Sequence, residues 1–292
     1  MHKNLELADR RFGYILVAPT VLIILAVILF PITFAIVSSF FDYTLINKSF
    51  NNFIGIENYI NSLKNERLIN SILVTFFFVI LVVFFEFILG FFIALLLNSI
   101  NKFKTVYYFI LLLPLLINPI VVGLIWRMFL HPQLGILNFL LSLFGIGEIN
   151  WLGDPKMAFI TIIFVDIWHQ VSFMIILLLA GLSAIPKEPY EAAKTDGANI
   201  IDCFFHITLP YMRPVIMVTV LIRLIFAIKT YDLIYIMTKG GPGDATDLIS
   251  YYIYRSAFIS LNLGEAAAMS SILLLIIIII TIPLFRYMDR LD

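Results

Sequence analysis

Two sets of four side chains have the types and spacing to recognise a polar solute. Asp166, His169, Gln170 and Phe173 fall at i, i+3, i+4 and i+7, which places them on one helix face. Arg223, Phe226, Ala227 and Thr230 repeat that spacing. Carboxylate, imidazole, amide and hydroxyl groups supply donors and acceptors, and Phe173 and Phe226, with Trp168 and Tyr231 nearby, supply flat apolar faces. Arg223 has two readings: it neutralises Asp166 across a helix interface, or it binds a carboxylate or phosphate on the solute. Asn118 sits beside Pro119 and close to Pro114, which free backbone carbonyls, so it either lines the same path or packs a kink. Glu86 stands alone in the apolar run 82–97 and is assigned an interior hydrogen bond to a neighbouring span, ahead of a proton site. Lys229 and Asp232, at i and i+3, predict a local pair. His2, His131 and His206 lack metal-ligand spacing, and Cys203 reads as a small buried residue. With no nucleophile–base pair, paired carboxylates or metal cluster, no catalytic residue and no metal ligand is assigned.

The elements that carry these residues must lie in a membrane. Of 292 residues, 62% are apolar or aromatic and only 13% are charged, against roughly half and a quarter in soluble domains. A mean hydropathy of +1.03 agrees. One cysteine excludes a disulfide scaffold, and 19 basic against 19 acidic residues imply no nucleic-acid partner. A spanning helix needs about 20 mainly apolar residues. Six stretches qualify: Phe12–Phe41, Ile69–Leu97, Val106–Leu130, Met157–Ser183, Tyr211–Met237 and Glu265–Met288. The first follows Lys3, Arg10 and Arg11 but is too long for a signal peptide and has no small-residue cleavage site after it, so an uncleaved span is expected. The whole chain, 1–292, is taken as a single all-α polytopic membrane domain.

Lys and Arg orient it. Lys3, Arg10, Arg11, Lys102, Lys104, Lys187, Lys194, Arg213, Arg286 and Arg290 fall on one side; Lys48, Lys64, Arg67, Lys156, Lys239 and Arg255 fall on the other. The richer side is expected to be cytoplasmic, with both termini there. By rise per residue, the two polar faces then lie in the middle third of the bilayer.

The connection between the fourth and fifth spans, residues 185–210, is too long for a simple hairpin turn. It carries a short helical pattern from Pro189 to Asp196, stopped by Gly197, then a second piece from Ile200 to His206 with an apolar stripe. Small residues Ala192 and Ala193 beside that stripe suit either docking of another protein or rest on the lipid interface. Within it, Glu191-Ala192-Ala193, three residues, Gly197, nine residues, Ile207, one residue and Leu209-Pro210 resemble the EAA loop of importer permeases in the ATP-binding-cassette superfamily. Thr238-Lys-Gly-Gly-Pro242, Thr246, Tyr252-Ile-Tyr254, Ala257-Phe258 and Gly264-Glu-Ala-Ala-Ala268 are similar to its carbohydrate-uptake branch, the maltose and glycerol-phosphate type. Gly135, Asn138 and Asn150–Pro155 carry the same likeness, which runs through essentially the whole chain.

That resemblance implies a type I importer permease fold with six transmembrane helices in the bacterial or archaeal cell membrane. It implies a second homologous permease, two cytoplasmic ATPases holding ATP and magnesium, and an extracytoplasmic solute-binding protein. The chain would bind no cofactor itself, consistent with the lack of a G-x-x-x-x-G-K-[ST] phosphate loop. The coupling residues would be Glu191, Ala192, Ala193, Asp196, Gly197, Leu209 and Pro210. The solute would be a sugar touched by the two polar faces; an anionic derivative such as glycerol phosphate is the alternative. A lone ion-coupled transporter is a more distant one, since paired inverted repeats are not seen.

Overall fold

The computed structural model describes residues 2–47, 49–100 and 104–288. Of the orienting cations, Lys48, Lys102 and Arg290 lie outside the described residues, as do the side chains of Lys3, Arg10, Arg11 and Lys104. Among the described residues the regular structure is helical, with two isolated bridges, Phe41 to Phe53 and Thr44 to Asn262. In chain order the helices are α1 (His2–Ser38), α2 (Glu57–Lys64), α3 (Glu66–Ser99), α4 (Lys104–Leu116), α5 (Pro119–Phe129), α6 (Ile136–Ser142) and α7 (Pro155–Ala184). They continue with α8 (Glu188–Thr195), α9 (Ile200–Cys203), α10 (Leu209–Ile228), α11 (Asp232–Met237), α12 (Ile249–Tyr254) and α13 (Leu263–Met288). Two single π turns, Phe204–Thr208 and Arg255–Ile259, follow α9 and α12.

Among the described residues, five helical stretches are long and apolar enough to cross a bilayer: Leu16–Ser38, Glu66–Ser99, Pro155–Ala184, Ile200–Met237 and Leu263–Arg286. The third expected span is present but broken. Val106–Leu116 and Pro119–Phe129 meet at an angle of 94°. The cause is local: Asn118, preceding a proline, takes an extended conformation (φ −59°, ψ 134°) and its side chain accepts from the Ile120 amide at 2.9 Å. Counting the bent pair as one gives six spans. The fifth also differs from expectation, because the α-helix ends at Ile228 and resumes at Asp232. No proline or glycine marks this break; the Thr230 carbonyl instead accepts a hydrogen bond from the Ser250 hydroxyl.

The chain forms two compact units, Met1–Lys64 with Ile253–Leu274 and Asn65–Tyr252 with Leu275–Asp292. In the first, Asn58 donates to the carbonyls of Ser39 (2.9 Å) and Phe41 (3.0 Å), and the Gly264 amide donates to Tyr43 at 2.8 Å. Phe34, Phe41, Tyr43, Phe50 and Phe53 form an aromatic cluster beside these bonds. Every side chain from Leu16 to Phe30 is exposed in the isolated chain, as a helix facing lipid or another subunit requires.

The second unit holds the polar faces. Its centre is the parallel packing of α3 on α7, Gly90 lying against Met174 and Leu97 near Leu179 and Ser183, with Phe78, Val82, Ala94, Ile162, Val165, Ile175 and Leu178 buried. Asn65 caps α3, and Asp154 caps α7 by accepting from the Met157 amide at 2.9 Å ahead of Pro155. Gly90 lets the two helices touch, since a Cβ there would lie 2.7 Å from Met174 Cβ. Gly90→Val is therefore expected to force the pair apart and cost roughly 1–3 kcal/mol. Thermal melting of the detergent-solubilised protein checks this, and an unchanged midpoint would mean the interface accommodates the added bulk.

Candidate functional site

α3, α7 and α10 each bring one charged side chain to a common buried point. The Arg223 guanidinium donates through Nε to Glu86 Oε2 at 2.5 Å and through Nη2 to Glu86 Oε1 at 2.8 Å. Nη2 also donates to Asp166 Oδ2. Exposure is 1% for Arg223, 0% for Glu86 and 4% for Asp166. The flat guanidinium fork fits a carboxylate edge to edge, which an ammonium could not do. The Arg223–Asp166 pair suggested by sequence is thus one half of a triad. Its other half is Glu86, whose interior hydrogen-bond partner is Arg223.

Beside the triad lies a cavity of about 340 Å³. Asp166, His169 and Gln170 from α7, Arg223 and Phe226 from α10, and Thr230 just beyond it all line the wall. The backbone explains how. The α4–α5 break leaves the Ile117 carbonyl without a helical partner, and His169 Nε2 bonds it at 3.1 Å. A carbonyl only accepts, so Nε2 is the donor in that bond, and Nδ1 lies 2.9 Å from the Gln170 side-chain nitrogen. One helix turn on, Ser172 donates to the Leu111 carbonyl at 2.5 Å, a second α7 clasp on α4.

Three of the pathway residues expected from sequence are not in the wall. Ala227 is fully buried in packing, Asn118 serves as the α5 cap while its neighbour Pro119 reaches the cavity, and Phe173 stands behind Phe226 with ring centres 5.9 Å apart. Helical spacing selected a face, but the wall follows the gap left by the two breaks. Those breaks also bring in Lys229, Tyr231, Asp232 and Leu233. Lys229 does not pair with Asp232 as the i,i+3 spacing predicted. It lies over the Phe226 ring, 5.5 Å from its centre, because the α-helix has ended before it. Trp168 packs edge-on against Trp126 and leaves Tyr231 as the tyrosine of the wall.

The second candidate region is the loop after α7. α8 ends at Thr195, Gly197 turns the chain with φ +83°, and the Ala198 amide bonds the Ala193 carbonyl at 2.9 Å. Asn199 and Asp202 then form a capping box: Asn199 Oδ1 accepts from the Ile201 and Asp202 amides at 2.8 and 3.0 Å, and Asp202 Oδ2 accepts from the Asn199 amide at 3.0 Å. From this cap α9, the π turn and α10 follow without a break. Glu191, Ala192, Asp196 and Gly197 are exposed, whereas Ala193, Leu209 and Pro210 are half-buried. Tyr190 bonds the Thr208 hydroxyl at 2.9 Å and Phe204 packs on Phe91 of α3, so the loop is held firmly to the spans beneath it.

Residues 86–292 match the family described as binding-protein-dependent transport system inner membrane component. The chain belongs to this family. It is a multi-pass membrane permease subunit of an ABC importer. Over 271 residues the permease is 38% identical to the trehalose/maltose transport system permease protein of Thermococcus litoralis, covering 92% of this chain and 90% of that one. Over 292 residues it is 34% identical to the sulfoquinovosyl glycerol transport system permease protein of Agrobacterium fabrum, covering 99% and 94%. Its fold matches a chain in the crystal structure of a bacterial ABC transporter that imports the acidic polysaccharide alginate, with TM-score 0.87, 24% identity and 99% of each chain covered. Membership sets the lone ion-coupled transporter aside.

Proposed function

We propose that this permease is the membrane-spanning path for a sugar, of oligosaccharide size, handed over by an extracytoplasmic binding protein and driven by two ATPases that hold the 185–210 loop. A second homologous permease completes the pathway. Nucleotide and magnesium belong to the ATPases, and both termini face the cytoplasm. The observation that carries this reading is that α9 and α10 run without a break from the exposed Glu191–Gly197 knob to Arg223 and Phe226 in the cavity wall. Force applied at the loop reaches the cavity through one element, the rigid-body arrangement that alternating access needs. The relatives named for trehalose/maltose and sulfoquinovosyl glycerol transport support a glycosyl solute. In the wall, Gln170, Thr230 and Asp166 offer hydrogen bonds and Phe226 and Tyr231 offer ring faces, the pairing of contacts that sugars need.

The test is to solubilise the permease gently from its native membrane and identify what co-purifies. A P-loop ATPase and a second EAA-bearing permease are expected. Recovery of the chain alone, still moving solute after reconstitution, would overturn the reading. Thr230→Trp adds a large ring to a cavity of about 340 Å³ and is expected to lower sugar uptake at least tenfold with assembly unchanged. Undiminished uptake would place the path elsewhere.

A further inference from the structure

The fold is shared with an importer of an acidic polysaccharide, so fold alone does not decide whether the solute carries charge. Arg223 is the group that a sequence reading offers as an anion receptor. In the structure its Nε and Nη2 are committed to Glu86 and Asp166, with all three residues at least 96% buried. We propose that Glu86, which does not line the cavity, sets the charge the cavity presents, so that the solute carried is an uncharged sugar and not a sugar acid or phosphate. This rests on the sugar-path reading above.

The charge count around the cavity is short. Asp166, Arg223, Lys229 and Asp232 line it, and Glu86 stands directly behind Arg223. Three carboxylates face two cations, an excess of one negative charge. If a buried carboxyl took up a proton the balance would be zero, and in neither state does Arg223 keep uncompensated positive charge. Lys229 is the cation outside the triad, but Asp232 shares its stretch of wall and the ammonium rests on the Phe226 ring. Both ring nitrogens of His169 are already engaged, by the Ile117 carbonyl and the Gln170 amide. An anionic solute would therefore lose its hydration against a wall whose net charge is negative or zero and whose one cation outside the triad, Lys229, is offset by Asp232 in the same stretch, which is costly in a low-dielectric site. A neutral sugar meets acceptors for its hydroxyls and rings for its faces. Glu86 acts through Arg223 and is a positioning residue.

The experiment uses the assembled permease–ATPase complex in nanodiscs, without the binding protein, so that its selectivity does not intervene. The probe is a mixed pool of neutral oligosaccharides (maltose, trehalose, cellobiose, maltotriose) and their uronate and phosphate counterparts of matched size, with retained sugars read by mass spectrometry. Wild type is expected to retain neutral members at least tenfold over anionic ones. Glu86→Gln removes one negative charge while keeping a hydrogen-bond acceptor for the guanidinium. It is expected to raise the anionic-to-neutral ratio about tenfold, the scale of one unit charge acting across about 10 Å at intermediate dielectric. Asp232→Lys, on the half-buried side of the wall, should move the ratio the same way without touching the triad, and keeps the test open should Glu86→Gln not assemble. A merely structural Glu86 would lower retention of both classes together. Equal retention of anions by wild type, or a ratio unmoved in an assembled Glu86→Gln complex, overturns the inference and leaves the sugar path standing. Retention of no sugar by wild type would overturn the sugar path itself.

Discussion

Arg223→Met is expected to leave the permease unable to assemble stably. The substitution fills most of the same volume but strands the Glu86 and Asp166 carboxylates, each 4% exposed or less, without their shared cation. Breaking a buried ion pair by removing one partner costs about 3–5 kcal/mol, because the remaining charge cannot regain its water. Here one cation serves two carboxylates on two other helices, so the loss falls on the α3–α7–α10 junction as a whole. Arg223→Lys should rescue poorly, since an ammonium cannot reproduce the edge-on fork to Glu86 while reaching Asp166. Melting temperature and yield of the detergent-solubilised complex check both variants. A methionine variant that melts with wild type would show that the triad contributes no net stability and is kept for another reason.

Gly197→Val is expected to uncouple the permease from its ATPases. Open space surrounds the site, so a side chain would collide with nothing. The cost lies in the backbone: φ is +83°, and a β-branched residue resists that conformation by about 1–3 kcal/mol. The least expensive relief is to re-form the turn, which rotates Glu191 and Ala192 relative to the Asn199 cap. Transport and solute-stimulated ATP hydrolysis should then fall more than tenfold while the complex still purifies with its spans folded. Gly197→Asn, which tolerates positive φ, should keep much of the activity. Full coupling in the valine variant would show that the turn's geometry is not what the partner grips.

How far the sequence discloses this molecule depends on the reach of each signal. Apolar runs of more than 20 residues placed most span ends to within a few residues, because the bilayer sets their length, although the helical stretch of the fifth span begins at Ile200 and not at the expected Tyr211. Pro114, Asn118 and Pro119 pointed to irregularity in the third span, although a kink and a 94° break look alike in sequence. The loop was legible because Gly197 is a local requirement of its own backbone. The triad was only half legible. Asp166 and Arg223 stood out as isolated charges at similar depth, whereas Glu86, 137 residues from Arg223, had no local marker of its partner. The break at Lys229–Tyr231 had none either, since what secures it is Ser250, 20 residues on. That break is why Ala227 lies in packing while Lys229 lines the cavity.

The run from the Asn199 capping box to Ile228 has a mechanical and a thermodynamic consequence. Its 29 residues make a rod of about 40 Å, so a tilt of about 10° about one end sweeps the other through about 7 Å. A small torque at the knob is thus converted into a displacement wider than a sugar ring at the cavity. Linkage then works in reverse by necessity: if the hold of a partner on the knob alters the affinity of the cavity by some factor, an occupied cavity alters that hold by the same factor. A loaded and an empty permease would present measurably different handles to the machinery that drives them.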